Sequence, residues 1–363
     1  MLPALGLVLV AVAPQADTIR LAERLCRTCT VEARPLVTLG DGDGFGALGP
    51  AGLLTRDSAG RYLLVHQAAA AQLTVFSSEG RYLRTVGRPG GGPGEYRRIW
   101  YVAQFSSGIV VYDDFSRRST RLAHDFSVVD TRPAPETPTS VLLRHDGSGI
   151  MSAIVPTSEL IGYTLHEFDG TRTRTRSLAL NPLPYREDLR DLFLRDLARG
   201  VDTSAYWVSH RREYAVEYCT LTGTACTTYV RPVPWFPKPN LADPWDSDII
   251  GDNPPPPPPR LVGVSQESDR YLWVIAWAPD TRWRSGVETH ERTEYRILDL
   301  NRLYDTVIER VDLLTGHVVV SARVDAALRQ FVGSTDAWYY HETREGVGRV
   351  EVVRLTVSDK STP

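Results

Sequence analysis

Arg81-Tyr-Leu-Arg-Thr-Val-Gly87 runs into Arg88-Pro-Gly-Gly-Gly-Pro-Gly-Glu-Tyr96, then into the apolar stretch 99–105 and into Gly108-Ile-Val-Val-Tyr-Asp113. The preceding stretch has the same order: Leu36-Val-Thr-Leu-Gly40, a glycine-rich 41–50, an apolar 53–56, then Gly60-Arg-Tyr-Leu-Leu-Val65. Thr38-Leu-Gly40 matches Thr85-Val-Gly87 and Gly60 matches Gly108, a spacing in the forties. Short alternating strands separated by glycine turns at that spacing are the signature of a β-propeller blade.

Each blade is four antiparallel strands, A at the axis and D outermost. Blade 1 takes 51–57, 61–66, 71–76 and 81–86; blade 2 takes 99–105, 108–113, 118–123 and 127–132. Blade 3 reads 140–144, 150–155, 162–168 and 173–179, and blade 4 reads 191–197, 205–209, 213–219 and 225–231. In 191–197 a strand is preferred, although Leu189, Leu192, Phe193 and Leu197 also fit a helix and periodicity does not arbitrate. Blade 5 takes 260–264, 271–277, 305–311 and 317–324; blade 6 takes 330–333, 337–341 and 349–357 and lacks a D strand. Segment 33–39 aligns with the D strand 81–86, so it is expected to pair with 349–357, complete blade 6 and close the ring. The expected fold is therefore all-β, a six-bladed β-propeller spanning 33–357, with a lead-in at 17–32 and a tail at 358–363. Two segments break the repeat. Residues 232–259 are proline-rich, with six consecutive prolines at 254–259 that favour an extended spacer between blades 4 and 5. Residues 278–304 form a long loop inserted into blade 5.

The 363 residues carry 41 basic and 44 acidic side chains, a formal net charge of -3, and no basic block. A nucleic-acid binder needs a basic stripe, so that class is excluded. Only Lys238 and Lys360 are lysines; the other basic residues are arginines. The apolar run at 2–13 is too short to span a bilayer and fits a signal peptide over 1–16, so the chain is expected to be exported, to the periplasm or outside, with no membrane span. Cysteines fall in local pairs, Cys26-Arg-Thr-Cys29 and Cys219 with Cys226. A Thr222-Gly223 turn would set Cys219 opposite Cys226, and an even count in an exported chain favours disulfides. Redox activity or half a zinc site is the alternative for the Cys-x-x-Cys.

The Gly-Gly-Gly-Pro-Gly-Glu-Tyr96 loop, Ile-Val-Val-Tyr-Asp113, Tyr271-Leu-Trp-Val274, Tyr304-Asp-Thr-Val-Ile-Glu309 and Leu314-Thr-Gly316 resemble the bacterial six-bladed propeller proteins related to NHL repeats. The resemblance covers about residues 31–357 and implies the fold; most members of that family have no assigned activity. Wider six-bladed relatives include calcium-dependent lactonases and phosphotriesterases and a zinc lyase, but no motif of theirs is visible here.

In a propeller the D-to-A and B-to-C connections share one face, over the axial channel. That face is expected to carry Glu95, Tyr96, Arg97, Asp113, Arg117 and Arg212 as ligand-binding candidates, together with His66, Arg88, Asp114, Arg118, His210, Arg211, His290, His341 and Arg344. Arginines there would bind carboxylate or sulfate groups by forked hydrogen bonds, or else pair with Glu95, Asp113 and Asp114 and be structural. Asp113 is expected to cap its turn. No cofactor is favoured. His66, His210 and His341 close strand B in three blades and are the candidate ligands for zinc; calcium or zinc is the cofactor that the enzyme alternative would use. The expected function is a monomeric binding module for a protein or an anionic small molecule, with a metal-dependent hydrolase or lyase as the alternative.

Overall fold

In the computed structural model the second strands of blades 1 and 2 are inner strands buried along their whole length: Tyr62–His66 and Gly108–Asp113 have no exposed residue. Each inner strand is sandwiched between the sheets of two neighbouring blades. Both its faces are therefore apolar, as in any sheet covered on both sides. Outer strands such as Tyr82–Val86 and Arg174–Leu180 face water and carry arginines. The structure describes residues 17–40, 48–66, 71–134, 136–221, 226–239, 255–290, 294–297, 299–343 and 345–359. The signal-peptide stretch 1–16, Arg344 and the Thr222-Gly223 turn lie outside the described residues.

Six antiparallel sheets form the ring. Blade 1 is Ala51–Arg56, Tyr62–His66, Leu73–Phe76 and Tyr82–Val86; blade 2 is Ile99–Phe105, Gly108–Asp113, Arg118–Ala123 and Val128–Pro133. Blade 3 is Pro138–Leu143, Gly149–Ala153, Tyr163–Phe168 and Arg174–Leu180. Blade 4 is Arg195–Arg199, Ala205–His210, Ala215–Thr220 and Cys226–Val230, and blade 5 is Arg260–Gln266, Tyr271–Pro279, Tyr304–Asp312 and His317–Val324. The expected first strand of blade 4, 191–197, is corrected: Glu187–Leu192 is a 3-10 helix and the strand begins at Arg195. Both periodicities in that segment are real, one for each half. Leu189 is buried in the helix, while Phe193 and Leu194 lie buried between the two elements.

Blade 6 draws on both ends of the chain. Asp336–Glu342 pairs with Gly348–Asp359, which pairs antiparallel with Cys29–Leu39, from Val350 opposite Leu39 to Asp359 opposite Cys29. The expected inner strand 330–333 shrinks to a single bridge between Phe331 and Ala337. Arg329 and Gln330 instead hand their side-chain donors to blade 1, on the carbonyls of Ala51 at 2.6 Å and Leu54 at 2.7 Å. Upstream of Cys29 the chain forms a belt. Thr18–Arg20 adds a parallel strand to the edge of blade 4, and Ala22–Glu23 does the same for blade 5. Leu21, between them, is buried in the seam of those blades.

Apolar clusters fill the seams between blades, so the core is a ring of interfaces. Among the described residues, seams 1–2 and 4–5 each bury thirteen apolar residues; seam 3–4, built on Ile150, Leu165, Tyr206, Val208 and Cys219, buries five. Seam 4–5 also holds a buried ion pair that sequence reading did not find. Arg231 contacts Glu309 through two hydrogen bonds of 2.8 and 2.9 Å, Tyr214 donates to the same carboxylate at 2.5 Å, and Arg231 reaches Glu23 of the belt at 2.6 Å. Cys219–Cys226 is disulfide-bonded across strands C and D of blade 4, and Cys26–Cys29 is bonded within the belt.

The described residues of the insertion in blade 5 form regular elements. A 3-10 turn at Trp283–Gly286, a hairpin of Val287–His290 with Glu294–Ile297, and a short helix at Leu300–Leu303 pack around Trp283, Leu303 and Tyr304. The prolines are not a free rod: Pro257 and Pro259 are buried and the Pro258 carbonyl accepts from the Tyr304 hydroxyl at 3.3 Å. Among the described residues no helix is long and apolar enough to cross a membrane.

Candidate functional site

The connection from blade 1 to blade 2 is built around its own carboxylate. Gly87 has φ +86°, and a Cβ there would lie 2.7 Å from the Tyr96 ring, so only glycine lets the ring tuck beneath the loop. Tyr96 is fully buried in the seam of blades 1 and 2, and burial pushes its hydroxyl up to about 12. It is therefore a core residue and presents nothing to a ligand. The glycines wrap Glu95: the Gly92 N–H donates to one carboxylate oxygen at 2.7 Å and Arg88 Nε to the other at 2.9 Å. Those two donors, Gly92 first, hold its carboxyl below the usual range. The loop thus supplies the anion it encloses.

Asp113 fastens this connection to the B-to-C turn of blade 2. It ends strand B with 1 % exposure and accepts the backbone N–H of Arg97 at 2.8 Å, of Arg98 at 3.2 Å and of Ser116 at 3.0 Å. Burial alone would raise its pKa, but the N–H groups of Arg97 and Ser116 outweigh that and keep it ionised. The expectation that Asp113 caps its turn is met, and the cap spans two loops.

Most arginines on this face are engaged. Arg98 pairs with Asp114 and lies against two exposed aromatics, 4.6 Å over the Phe115 ring and 5.4 Å over Trp100. Arg118 donates to the carbonyls of Gly91 and Glu95, Arg88 pairs with Glu95, and Arg211 grips Asp196 through two bonds of 2.9 and 3.0 Å. Arg97 and Arg117 differ: both are exposed and neither side chain has a partner among the described residues. Arg117 sits at φ +49°, a left-handed turn position that fixes the direction of the following strand. Arg212 belongs elsewhere, lining a cleft between blades 3 and 4, where its charge is felt by Tyr304.

Beside this rim the axis opens into a cleft of about 910 Å³, walled by Arg98, Trp100, His66, Gln330, Asp191 and Asp196. The 3-10 helix before blade 4 lines it with Glu187, Asp188 and Asp191, acidic residues absent from the sequence-based candidates because no helix was expected before the strand at 191–197. Their carboxylates at the axis are spent on arginines, Asp191 on Arg260 at 2.9 Å and Asp196 on Arg211. The histidines point along their own blades. His66 meets Thr74 at 3.1 Å, His210 meets Glu217 at 2.8 Å, and His341 lies 3.6 Å from Glu351, each on the next strand outward. Among the described residues, no group of three potential ligands within ion-binding reach includes a histidine. His290 has its backbone in the insertion hairpin.

Comparison with known proteins supports the architecture. A family described as a 6-bladed beta-propeller, DUF5128, matches residues 54–119. A presumed exported protein of Bacteroides fragilis superposes with a TM-score of 0.60 at 12% identity, covering 95% of this chain and 100% of its own. A member of the duf4221 family from Bacteroides vulgatus gives 0.60 at 7% identity, covering 92% and 99%. At these identities the likeness is one of fold. No curated protein matches the sequence.

Proposed function

We propose that this chain is an exported binding module that takes a carboxylate-bearing ligand, free or displayed on a protein, on the rim of blade 2. One observation carries the reading. Asp113 ties the backbones of Arg97 and Ser116 to one carboxylate, so Arg97 and Arg117, whose side chains have no partner among the described residues, stand on adjoining turns. Two guanidinium forks at a fixed spacing suit carboxylates, and the exposed faces of Phe115 and Trp100 beside them offer apolar contact. Export is supported by the two disulfides, which persist in oxidising compartments. The Bacteroides fragilis protein of the same fold is likewise presumed exported.

Calorimetric titration with citrate tests this. Binding should weaken between 50 and 300 mM salt, because exposed charges lose most of their attraction beyond roughly 8–10 Å at physiological ionic strength. It should be unchanged in protein stripped of metal by passage over a chelating resin. Loss of binding on chelation would move the reading to a metal-dependent enzyme.

A further inference from the structure

Seam 3–4 has the smallest apolar core of the two blade pairs that flank blade 4, and the space is a cleft of about 660 Å³. Leu165, Leu178 and Val208 form the apolar part of its wall, with Leu180 62% exposed, and His210, Arg212, Glu213 and Glu217 line the rest. At its base lies Arg195, the first residue of strand A in blade 4, only 8% exposed. One guanidinium nitrogen donates to the carbonyls of Leu192 at 2.7 Å and Leu194 at 3.0 Å. Arg195 makes no ion pair among the described residues.

The carboxylates around it have other hydrogen-bond partners or face solvent. Glu217 holds His210 at 2.8 Å, Asp196 holds Arg211 through two bonds, and Glu213 is exposed. Burial lowers the Arg195 pKa, as expected of a cation taken from water without a direct counter-ion. A buried charge lacking a partner is strongly unfavourable, and a bound anion relieves it.

We propose that the cleft between blades 3 and 4 binds an amphipathic monocarboxylate, its carboxylate on Arg195 and its apolar body along Leu178, Leu180 and Val208. The volume lies within the range of small-molecule sites, about 300–1,000 Å³. An apolar wall beside Arg195, a buried cation with no ion pair among the described residues, selects a chain or ring carrying a terminal acid. Acetate has too little apolar surface to hold, and a neutral alcohol lacks the charge.

Calorimetry of the full chain with octanoate, 1-octanol and acetate tests the proposal. Octanoate should bind. 1-Octanol should bind about 10- to 100-fold more weakly, the usual worth of a hydrogen bond to a charged group, and acetate should give no heat. Arg195→Gln should reduce octanoate binding to the level of the alcohol. If that variant does not fold, Leu180→Glu, at an exposed position, should keep the native melting temperature and abolish octanoate binding by like charge at the mouth. An Arg97→Ala/Arg117→Ala double variant should bind octanoate unchanged, which separates this cleft from the blade 2 rim. The proposal is overturned by equal binding of octanoate and octanol, by no heat with octanoate, by unaltered binding in Leu180→Glu, or by loss of octanoate binding in the double variant.

Discussion

The carboxylate of Asp113 accepts the backbone N–H of Arg97 at 2.8 Å, sixteen residues away, and so binds the glycine loop entering blade 2 to the turn that leaves its second strand. Three part-buried N–H donors depend on that one side chain. Asp113→Ala should cost about 1–3 kcal/mol, read from urea unfolding, because these donors would lose their acceptor. Asp113→Asn, which keeps one acceptor oxygen, should cost less. Equal stability of all three proteins would show that the loops are held by something else.

Arg231 and Glu309 are the second weight-bearing pair, fully enclosed between blades 4 and 5 and extended by Glu23 to the belt. Replacing one partner strands a buried charge, so Glu309→Gln should destabilise by roughly 3–5 kcal/mol. An Arg231→Met/Glu309→Leu double variant should recover most of the loss. If the single and double variants were equally unstable, packing rather than the stranded charge would be the cause.

Acid sensitivity should begin above the carboxylate range. Burial lowers the pKa of His66 and His166. Burial outweighs the Ala153 carbonyl, which at 3.2 Å from one ring nitrogen of His166 favours the charged form; the other nitrogen meets Ser177 at 2.9 Å. The unfolded chain then binds more protons, so the stability is intact above about pH 6.5 and is lost as pH falls through the lower folded values. Melting temperature should hold from pH 8 to 6.5 and decline from there to pH 5. The depressed carboxyls of Asp113 and Glu217 add to the fall at lower pH. A flat profile down to pH 5 would contradict the neutral, buried assignment of these histidines.

Removal of residues 1–40 should strip three blades at once, since Thr18–Arg20, Ala22–Glu23 and Cys29–Leu39 cover or complete blades 4, 5 and 6. Exposed sheet edges template aggregation, so the truncated chain should melt lower and lose solubility. An unchanged melting temperature would mean that the belt is dispensable.

Much of this was legible in the sequence because strand pattern and glycine turns are local signals: blades 1, 2 and 5 emerge close to their observed bounds. What was not legible depends on partners distant in sequence. Arg329 and Gln330 look like strand residues until blade 1, some 276 to 278 positions away, offers its carbonyls. The Arg231–Glu309 pair spans 78 positions and has no motif. Tyr96 and Arg97 are neighbours in the same loop, yet one is core and the other exposed, a difference set by the ring's packing beneath Gly87. Likewise the pairing of Arg98 with Asp114, and the lack of one for Arg97, follows from side-chain direction rather than from spacing.

Citrate titration of three proteins by calorimetry tests the central claim most directly: the native chain, Arg97→Ala/Arg117→Ala, and Arg88→Ala, whose side chain is already paired with Glu95. The native chain and Arg88→Ala should bind alike, and the double variant should lose binding by at least tenfold without a change in melting temperature, since neither side chain supports the fold. Undiminished binding in the double variant, or an equal loss in Arg88→Ala, would contradict the assignment of the blade 2 rim as the anion site.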